Sequence, residues 1–569
     1  MDVDREALLA EARAWILLDP DPETRRELAA LVDTERMEEL GDRFGSPLKF
    51  GTAGLRGVVG AGPSRMNRAV VERATRAVAE YLLDENTGDA KDLVVVVGFD
   101  ARPTSRDFAD AAIRVLGAYG VPARYFAEPC PTPLVAYAAR ELSAAAAIVI
   151  TASHNPAEYN GYKLYGKDAV QIVPPVDAEI ERRMRAPGGS AVPAVPPAPA
   201  VPISEALVER YLARIDSERP HGNAQRSLSI VYTPLHGVGG ALATRALARA
   251  GFTRVAVVPE QAAPDGAFPT ARSPNPEDPA ALALALSLAA KRNADVVLAN
   301  DPDADRLAVC VPAPSGHRPL SGNQIGVLLA DFVLRRAPRA PRPLVVSSIV
   351  SSPMLADVAA AYGARHETTL TGFKWIWTCA LELEETEGVR FVFGYEEAIG
   401  YSIGRSVRDK DGINAAVWFA ELAAELAAEG ETVWSRLAAL HRRHGLWASA
   451  QHGVTRRGAG GAREIAASLD SVVRTPPASL AGRGVANVVD FREGGQNRPP
   501  WLPNSPLVLL ELERGGRVLL RPSGTEPKLK IYADLRRDVA AADSLVEAEA
   551  ALEAAARRAA AELAACLGF

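Results

Sequence analysis

The sequence predicts an α/β protein of several domains, and three observations predict it. Short aliphatic and β-branched runs alternate with helical patterns along most of the chain, as expected of parallel or mixed sheets built from βαβ units. The 569 residues exceed the ~100–200 of a single domain several-fold. A proline-rich stretch at 186–203, APGGSAVPAVPPAPAVPI, interrupts the alternation and reads as extended polyproline rather than a packed element.

The elements follow in chain order. Two amphipathic helices are expected around 5–17 and 23–43, separated by the turn residues Asp19-Pro20-Asp21-Pro22. A loop of different character follows, Lys49-Phe-Gly-Thr-Ala-Gly-Leu-Arg-Gly57. Leu93–Phe99 reads as a buried strand, and the helix after it gathers Phe108, Ala112, Val115, Leu116 and Tyr119 on one face. Further strands are expected at 147–152, 228–233, 254–258, 295–299, 344–350 and 391–395, and an alanine-rich helix at 543–567. The linker, with softer boundaries at 311–323 (Pro/Gly-rich) and 442–462 (charged and glycine-rich), divides the chain into units of 1–186, 203–313, 314–443 and 444–569.

Composition narrows the function. With 64 basic and 70 acidic side chains the net charge is −6, which argues against a nucleic-acid binder; an anionic ligand must be held by local basic clusters. No run approaches the ~20 apolar residues of a membrane span, so no membrane partner is expected. The opening MDVDREALLAEARAW carries no signal-peptide core. Cys130, Cys310, Cys379 and Cys566 form no CxxC pair and read as buried thiols of a cytoplasmic protein.

Four strand-end motifs carry chemistry. In Ala147-Ile-Val-Ile-Thr-Ala-Ser-His-Asn-Pro156, a buried strand delivers Ser153 and His154 to the edge where ligands bind in open α/β sheets; a capping serine in a plain turn fits the same residues. Just downstream, Asn160-Gly-Tyr-Lys163 offers an ammonium. In Asp295-Val-Val-Leu-Ala-Asn-Asp-Pro-Asp-Ala-Asp-Arg306, three carboxylates, Asp301, Asp303 and Asp305, occupy alternate positions. Such groups repel by roughly 4 kcal/mol per pair at ~4 Å and an effective dielectric of ~20. A hard cation such as Mg²⁺ would relieve that repulsion, with Arg306 placed to pair with a phosphoryl oxygen. A solvated acidic turn is the plain alternative. An EF-hand is excluded, because Arg306 and Pro312 stand where Gly and Glu are needed.

In Phe391-Val-Phe-Gly-Tyr-Glu-Glu-Ala-Ile-Gly-Tyr401, Glu396 and Glu397 suit vicinal sugar hydroxyls, or are simply charges at a strand end. Upstream, Thr368-Thr-Leu-Thr-Gly-Phe-Lys-Trp375 supplies Lys374, a candidate base if burial depresses it and otherwise an exposed lysine. In Leu520-Arg-Pro-Ser-Gly-Thr-Glu-Pro-Lys-Leu-Lys-Ile-Tyr532, Arg521, Ser523, Gly524, Thr525 and Lys528 have the composition of a phosphate nest; a β-turn is the alternative. Gly161–Lys167 fits GxxxxGK, but Asp168 replaces the Ser/Thr of a P-loop. Thr233–Gly240 lacks the last glycine of a dinucleotide loop, leaving His236 a structural role, and there is no GxSxG elbow.

Together and in this order, GTAGLRG, TASHNP, NDPDADR, GYEEAIGY and RPSGTEPK resemble the α-D-phosphohexomutase superfamily, and most of all its phosphoglucomutase/phosphopentomutase branch. The resemblance implies four domains around a central cleft, three similar α/β domains with mixed sheets and a smaller C-terminal α+β domain. It implies that Ser153 is phosphorylated and helps bind Mg²⁺ with Asp301, Asp303 and Asp305. Arg56, Lys163 and Arg306 would then support the transferring group. Thr371, Gly372, Glu396 and Glu397 would bind the sugar, and the Arg521–Lys528 loop its other phosphate.

The implied activity is a phosphosugar mutase, working through glucose 1,6-bisphosphate as intermediate and activator, with glucose 1-phosphate and 6-phosphate ahead of ribose phosphates. Phosphomannomutase and glucose-1,6-bisphosphate synthase are near alternatives, and a phosphatase or a catalytically weak sugar-phosphate sensor are different classes. Partners are expected to be small phosphosugars, with the chain a monomer or homodimer. One departure bears on the sugar: Ala398 stands where hexomutase loops often carry serine. The base is open among His154, whose ordinary pKa suits it, and Lys163 or Lys374, which would need strong depression from about 10.4.

Overall fold

The computed structural model describes residues 5–52, 54–86, 88–186, 197–221, 226–456, 461–523, 528–540 and 543–569. They form two compact units, the first from Met1–His221, Arg226–Leu320 and Gly400–Glu421, the second chiefly from Ser321–Ile399 and Leu422–Phe569.

The first unit opens with helices Arg5–Leu18, Pro22–Asp33 and Met37–Phe44. Asp21 caps the second by accepting from Glu23 N, with Pro22 in the first turn. The single helix expected over 23–43 is broken at Thr34–Arg36, where Glu35 takes φ +50°. The break lets Phe44 meet Trp15 edge-on in a small helical core.

The strands β1 (Leu55–Val58), β2 (Val95–Phe99), β3 (Ala123–Tyr125), β4 (Ala146–Ile150), β5 (Tyr159–Tyr165) and β6 (Ala200–Pro202) form a mixed sheet ordered β1-β5-β4-β2-β3-β6. β2 and β4 are buried throughout, so both read as unbroken aliphatic runs. The helix Ser105–Ala118 lays Phe108, Ala112 and Leu116 against them, with Val115 partly buried.

A second mixed sheet has β7 (Ile230–Thr233), β8 (Val255–Val257), β9 (Val296–Ala299), β10 (Ala308–Ala313) and β11 (Gly316–Pro319), ordered β11-β10-β9-β7-β8. The Pro/Gly-rich stretch near 311–323 thus contains a hairpin arm: Pro312 pairs with His317 and Ala313 with Gly316.

In the second unit, β12 (Pro343–Ser348) lies parallel to both β13 (Arg365–Thr369) and β14 (Arg390–Glu396). A further strand, β15 (Gly400–Ile403), belongs to the first unit.

The C-terminal sheet is antiparallel. Its strands are β16 (Leu446–Thr455), β17 (Ser479–Leu480), β18 (Arg483–Asp490), β19 (Val508–Leu512), β20 (Gly516–Pro522) and β21 (Lys528–Arg537), ordered β16-β21-β20-β19-β18-β17. The helix Leu545–Cys566 covers it through Leu552, Ala556, Ala559 and Leu563. The architecture is α/β throughout the first three sheets and α+β at the C-terminus. Cys130, Cys310 and Cys379 are buried, but Cys566 is exposed because it ends the outer helix. Among the described residues no helix is long and apolar enough to cross a membrane.

Candidate active site

In the first unit the chemistry-bearing side chains gather at strand ends. β4 runs into Thr151-Ala152-Ser153, and Ser153 takes φ +52°, a conformation costly for a residue with a side chain. A buried network holds it there. Ser153 N donates to Thr151 Oγ1 at 2.9 Å, and Thr151 Oγ1 donates to Asp100 Oδ2 at 2.7 Å. Arg102, paired with Asp100, donates to the carbonyls of Ser153, Asn155, Pro156 and Tyr159 at 2.6–2.8 Å. Gly161 completes the fit, since a Cβ there would lie 2.5 Å from the Thr151 carbonyl oxygen.

The loop after β9 delivers the three aspartates to one point, and one oxygen from each lies within 4.8 Å of the others. Ser153 Oγ donates to Asp301 Oδ2 at 2.6 Å and lies 3.1 Å from His154 Nδ1. Lys163 Nζ, carried on β5, donates to Asp303 Oδ2 at 2.6 Å and Asp305 Oδ2 at 2.7 Å. Thr132 Oγ1 donates to Asp303 Oδ2 at 2.6 Å, Arg306 N to Asp301 Oδ1 at 3.0 Å, and Lys410 Nζ lies 3.2 Å from Asp305 Oδ2. Arg56, on β1, donates to Asn155 Oδ1 at 3.1 Å.

Electrostatics assigns these groups different states. Burial, then Asp303 and Asp305, pushes the Asp301 carboxyl well above the carboxylate range. Burial also opposes ionisation of Asp303, but Lys163 prevails and holds it low. Asp305 is likewise lowered, burial and Asp303 being outweighed by Lys163, Lys410 and Arg306. Burial would depress Lys163, yet Asp303 and Asp305 raise it, so Lys163 stays an ammonium. Burial first, then Arg306 and Arg56, hold His154 well below the ordinary imidazole value and hence neutral. Two of the three candidate bases, His154 and Lys163, therefore separate by environment.

The donor set fits a hard cation. Oδ1 of Asp303 and Oδ1 of Asp305 are buried without a hydrogen-bond partner among the described residues, as oxygens awaiting a positive charge would be. Arg56 Nε is a buried donor without a partner in the same sense, suited to an anion beside that cation.

The second unit gathers a different set. β14 ends in Glu396, whose Oε1 accepts from Gly372 N at 2.7 Å; Gly372 sits at φ +121°, outside the reach of most side chains. Ser351 Oγ accepts from Glu397 N at 3.0 Å, and Ser348 Oγ donates to Glu397 Oε2 at 3.2 Å. Burial, then Glu396, raises the Glu397 carboxyl to about 7. Thr371 Oγ1 is buried with no partner among the described residues, a hydroxyl free for a ligand.

Lys374 is buried in the first turn of the helix Phe373–Thr386, its Nζ 5.8 Å from the Trp375 ring centroid. Arg521, one residue before the end of β20, bonds the Tyr532 hydroxyl, which also faces Glu397 and Glu396. The motif around Arg521 is thereby joined to the carboxylate pair. Ser523 N donates to Lys528 O at 2.7 Å; Gly524 and Thr525 lie outside the described residues.

Asp100, Arg102, Thr132, Lys410, Ser348, Ser351 and Tyr532 were not singled out by sequence. Asp100-Ala-Arg102 and Ser347–Ser352 did carry a signal, polar residues at the ends of aliphatic strands. His236 is structural as expected: its Nε2 lies 2.8 Å from Thr270 Oγ1.

Comparison with known proteins shows the family and the fold. The description "Phosphoglucomutase/phosphomannomutase" matches as alpha/beta/alpha domain I over residues 47–188, domain II over 209–315, domain III over 321–443 and C-terminal domain over 498–552. The chain is 36% identical to the "Probable phosphomannomutase" of Haemophilus influenzae over 83% of this chain and 93% of that protein. It is 34% identical to the phosphopentomutase of Mus musculus over 92% and 90%. The solved structure of a phosphoglucomutase/phosphomannomutase family protein from Burkholderia thailandensis shares the fold with a TM-score of 0.65 at 21% identity, over 90% of this chain and 97% of that one.

Proposed function

From the premise that this chain belongs to the phosphoglucomutase/phosphomannomutase family and is a phosphosugar mutase, we propose that it moves phosphate between C1 and C6 of glucose through phosphorylated Ser153. The observation that carries this reading is the Ser153 hydroxyl, buried and 2.6 Å from Asp301 within the aspartate cluster.

His154, kept neutral, takes the proton of the substrate's free hydroxyl. The bond from phosphorus to Ser153 Oγ breaks as the bond to the sugar oxygen forms, and His154 Nδ1, 3.1 Å away, passes a proton to the departing Ser153 Oγ, which yields glucose 1,6-bisphosphate and the free serine. The reverse steps on the other phosphate return a phosphoryl group to Ser153 and release the isomer. Arg56, Lys163 and Arg306 hold the equatorial oxygens of the moving group. Ser153, Asp301, Asp303 and Asp305 would hold Mg²⁺, which when bound neutralises charge on the transferring phosphoryl. A mutase, unlike a phosphatase, must keep water from the phosphoester, and the burial of Ser153 supports that reading.

Glu396, Glu397, Thr371 and Gly372 bind the sugar, with Lys374 a cation of that set. Arg521, Ser523, Gly524, Thr525 and Lys528 hold the phosphate that is not transferred. The division at 1–186, 203–313, 314–443 and 444–569 gives each proposed domain one loop of this machinery.

A pentose reading is favoured by Ala398, where a hydroxyl contact to a hexose is absent, and by the likeness to a phosphopentomutase. The test is turnover of glucose 1-phosphate and ribose 1-phosphate side by side, with Mg²⁺ and a trace of glucose 1,6-bisphosphate. Faster glucose turnover that is lost in Ser153→Ala supports the primary reading. Faster ribose turnover replaces its sugar, and phosphate release without isomer overturns it.

A further inference from the structure

A cavity of about 320 Å³ lies in the first unit, away from every residue given a role above. Leu18, Leu48 and Met184 supply apolar wall, and Trp15 with Arg73 supplies the polar part. The Arg73 guanidinium carbon stands 4.1 Å over the Trp15 ring. Among the described residues Arg73 makes no hydrogen bond and no ion pair, while Arg76 and Arg43 nearby in the same helical region are both paired with glutamates. The Trp15 indole N–H is buried and has no acceptor among the described residues, although the residue is only 6% exposed.

The Trp15 N–H is a buried donor, which costs about 1–3 kcal/mol unless something accepts from it, while Arg73 is half-buried at the same cavity with Asp19 the opposite charge acting on it. The other charges of the wall are spoken for: Glu181 Oε2 pairs with Arg185 at 2.9 Å and its Oε1 accepts from Phe50 N at 2.7 Å. Glu11 stands on the exposed side. The volume is at the lower end of small-molecule sites, with apolar walls and few convergent polar groups.

We propose that this cavity is a binding site for a small organic anion with a flat apolar body, its carboxylate or phosphate accepting from Arg73 and Trp15 Nε1 while its body lies against Leu18, Leu48 and Met184. The stacked guanidinium and indole present a planar surface to such a body, and a neutral analogue leaves Arg73 unpaired.

The probe is 3-phenylpropionate, with 3-phenylpropanol and inorganic phosphate beside it, titrated into the full chain by calorimetry. We expect binding of 3-phenylpropionate at about millimolar Kd or tighter, and at least about tenfold weaker binding of the other two. Arg73→Gln is expected to weaken 3-phenylpropionate about tenfold and Trp15→Phe, which keeps a ring but removes the N–H, several-fold. In protein labelled with 5-fluorotryptophan, the fluorine resonance missing from Trp15→Phe must shift on titration. No binding, equal binding of the alcohol, an unchanged Kd in Arg73→Gln, or shifts confined to other tryptophans each overturns the proposal.

Discussion

The two units solve opposite problems with the same kind of residue. In the first, carboxylates are held by fixed cations: Lys163 bridges Asp303 and Asp305, and Lys410 adds a second ammonium to Asp305. In the second, Glu396 and Glu397 are held by a backbone N–H and by serine hydroxyls, and Glu397 sits at the edge of ionisation. Phosphoryl transfer gains from charges that need not reorganise. A sugar subsite gains from acceptors whose neighbours are neutral donors.

The comparison breaks first at Ser153. Ser153→Ala is expected to lower mutase turnover by about 10⁴-fold or more, whereas Glu396→Gln, which keeps an acceptor for Gly372 N, is expected to cost about 10–10²-fold. Steady-state kinetics of both variants checks this; equal losses would erase the distinction between the units.

Next is the ion-pair lattice. Lys163→Met leaves Asp303 and Asp305 buried with less positive charge, and is expected to destabilise the metal-free protein by about 3–5 kcal/mol in denaturant unfolding. Ser348→Ala in the second unit is expected to cost about 1 kcal/mol. Arg102→Lys cannot reach all four loop carbonyls, and the resulting displacement of Ser153 is expected to lower kcat about 10²-fold with KM little changed.

A finer contrast comes from pH. Because burial and Glu396 raise Glu397 to about 7, its carboxyl is protonated below neutrality and ionised above it. Sugar-phosphate affinity is expected to change with a midpoint near 7. Glu396→Gln removes a like charge and moves that midpoint down, while Ser348→Ala removes a hydrogen bond to the ionised form and moves it up. Titrating Kd in each variant checks the signs. The smallest effect is Ala398→Ser, expected to shift the glucose-to-ribose preference by about tenfold or less.

Legibility in the sequence followed the same division. Strands such as β4 and β9 are buried along their whole length and read as aliphatic runs, so the ends that present Ser153 and Asp301 are visible directly in the sequence. β21, KLKIYADLRR, mixes charged and aliphatic residues because its ends are half-exposed, and the C-terminal sheet it belongs to was not read. Thr132 and Asp303 are 171 positions apart and Lys163 and Asp305 142, so no local pattern could announce their bonds. The choice between His154 and Lys163 as base also needed the fold, since only the surrounding charges keep one neutral and the other protonated.

The most direct test of the central claim is a single-turnover chase of enzyme carrying ³²P at Ser153 with unlabelled glucose 1-phosphate and Mg²⁺. The account expects label to leave Ser153 and appear first in glucose 1,6-bisphosphate. Label released as inorganic phosphate, or retained on the protein while isomer forms, would contradict it.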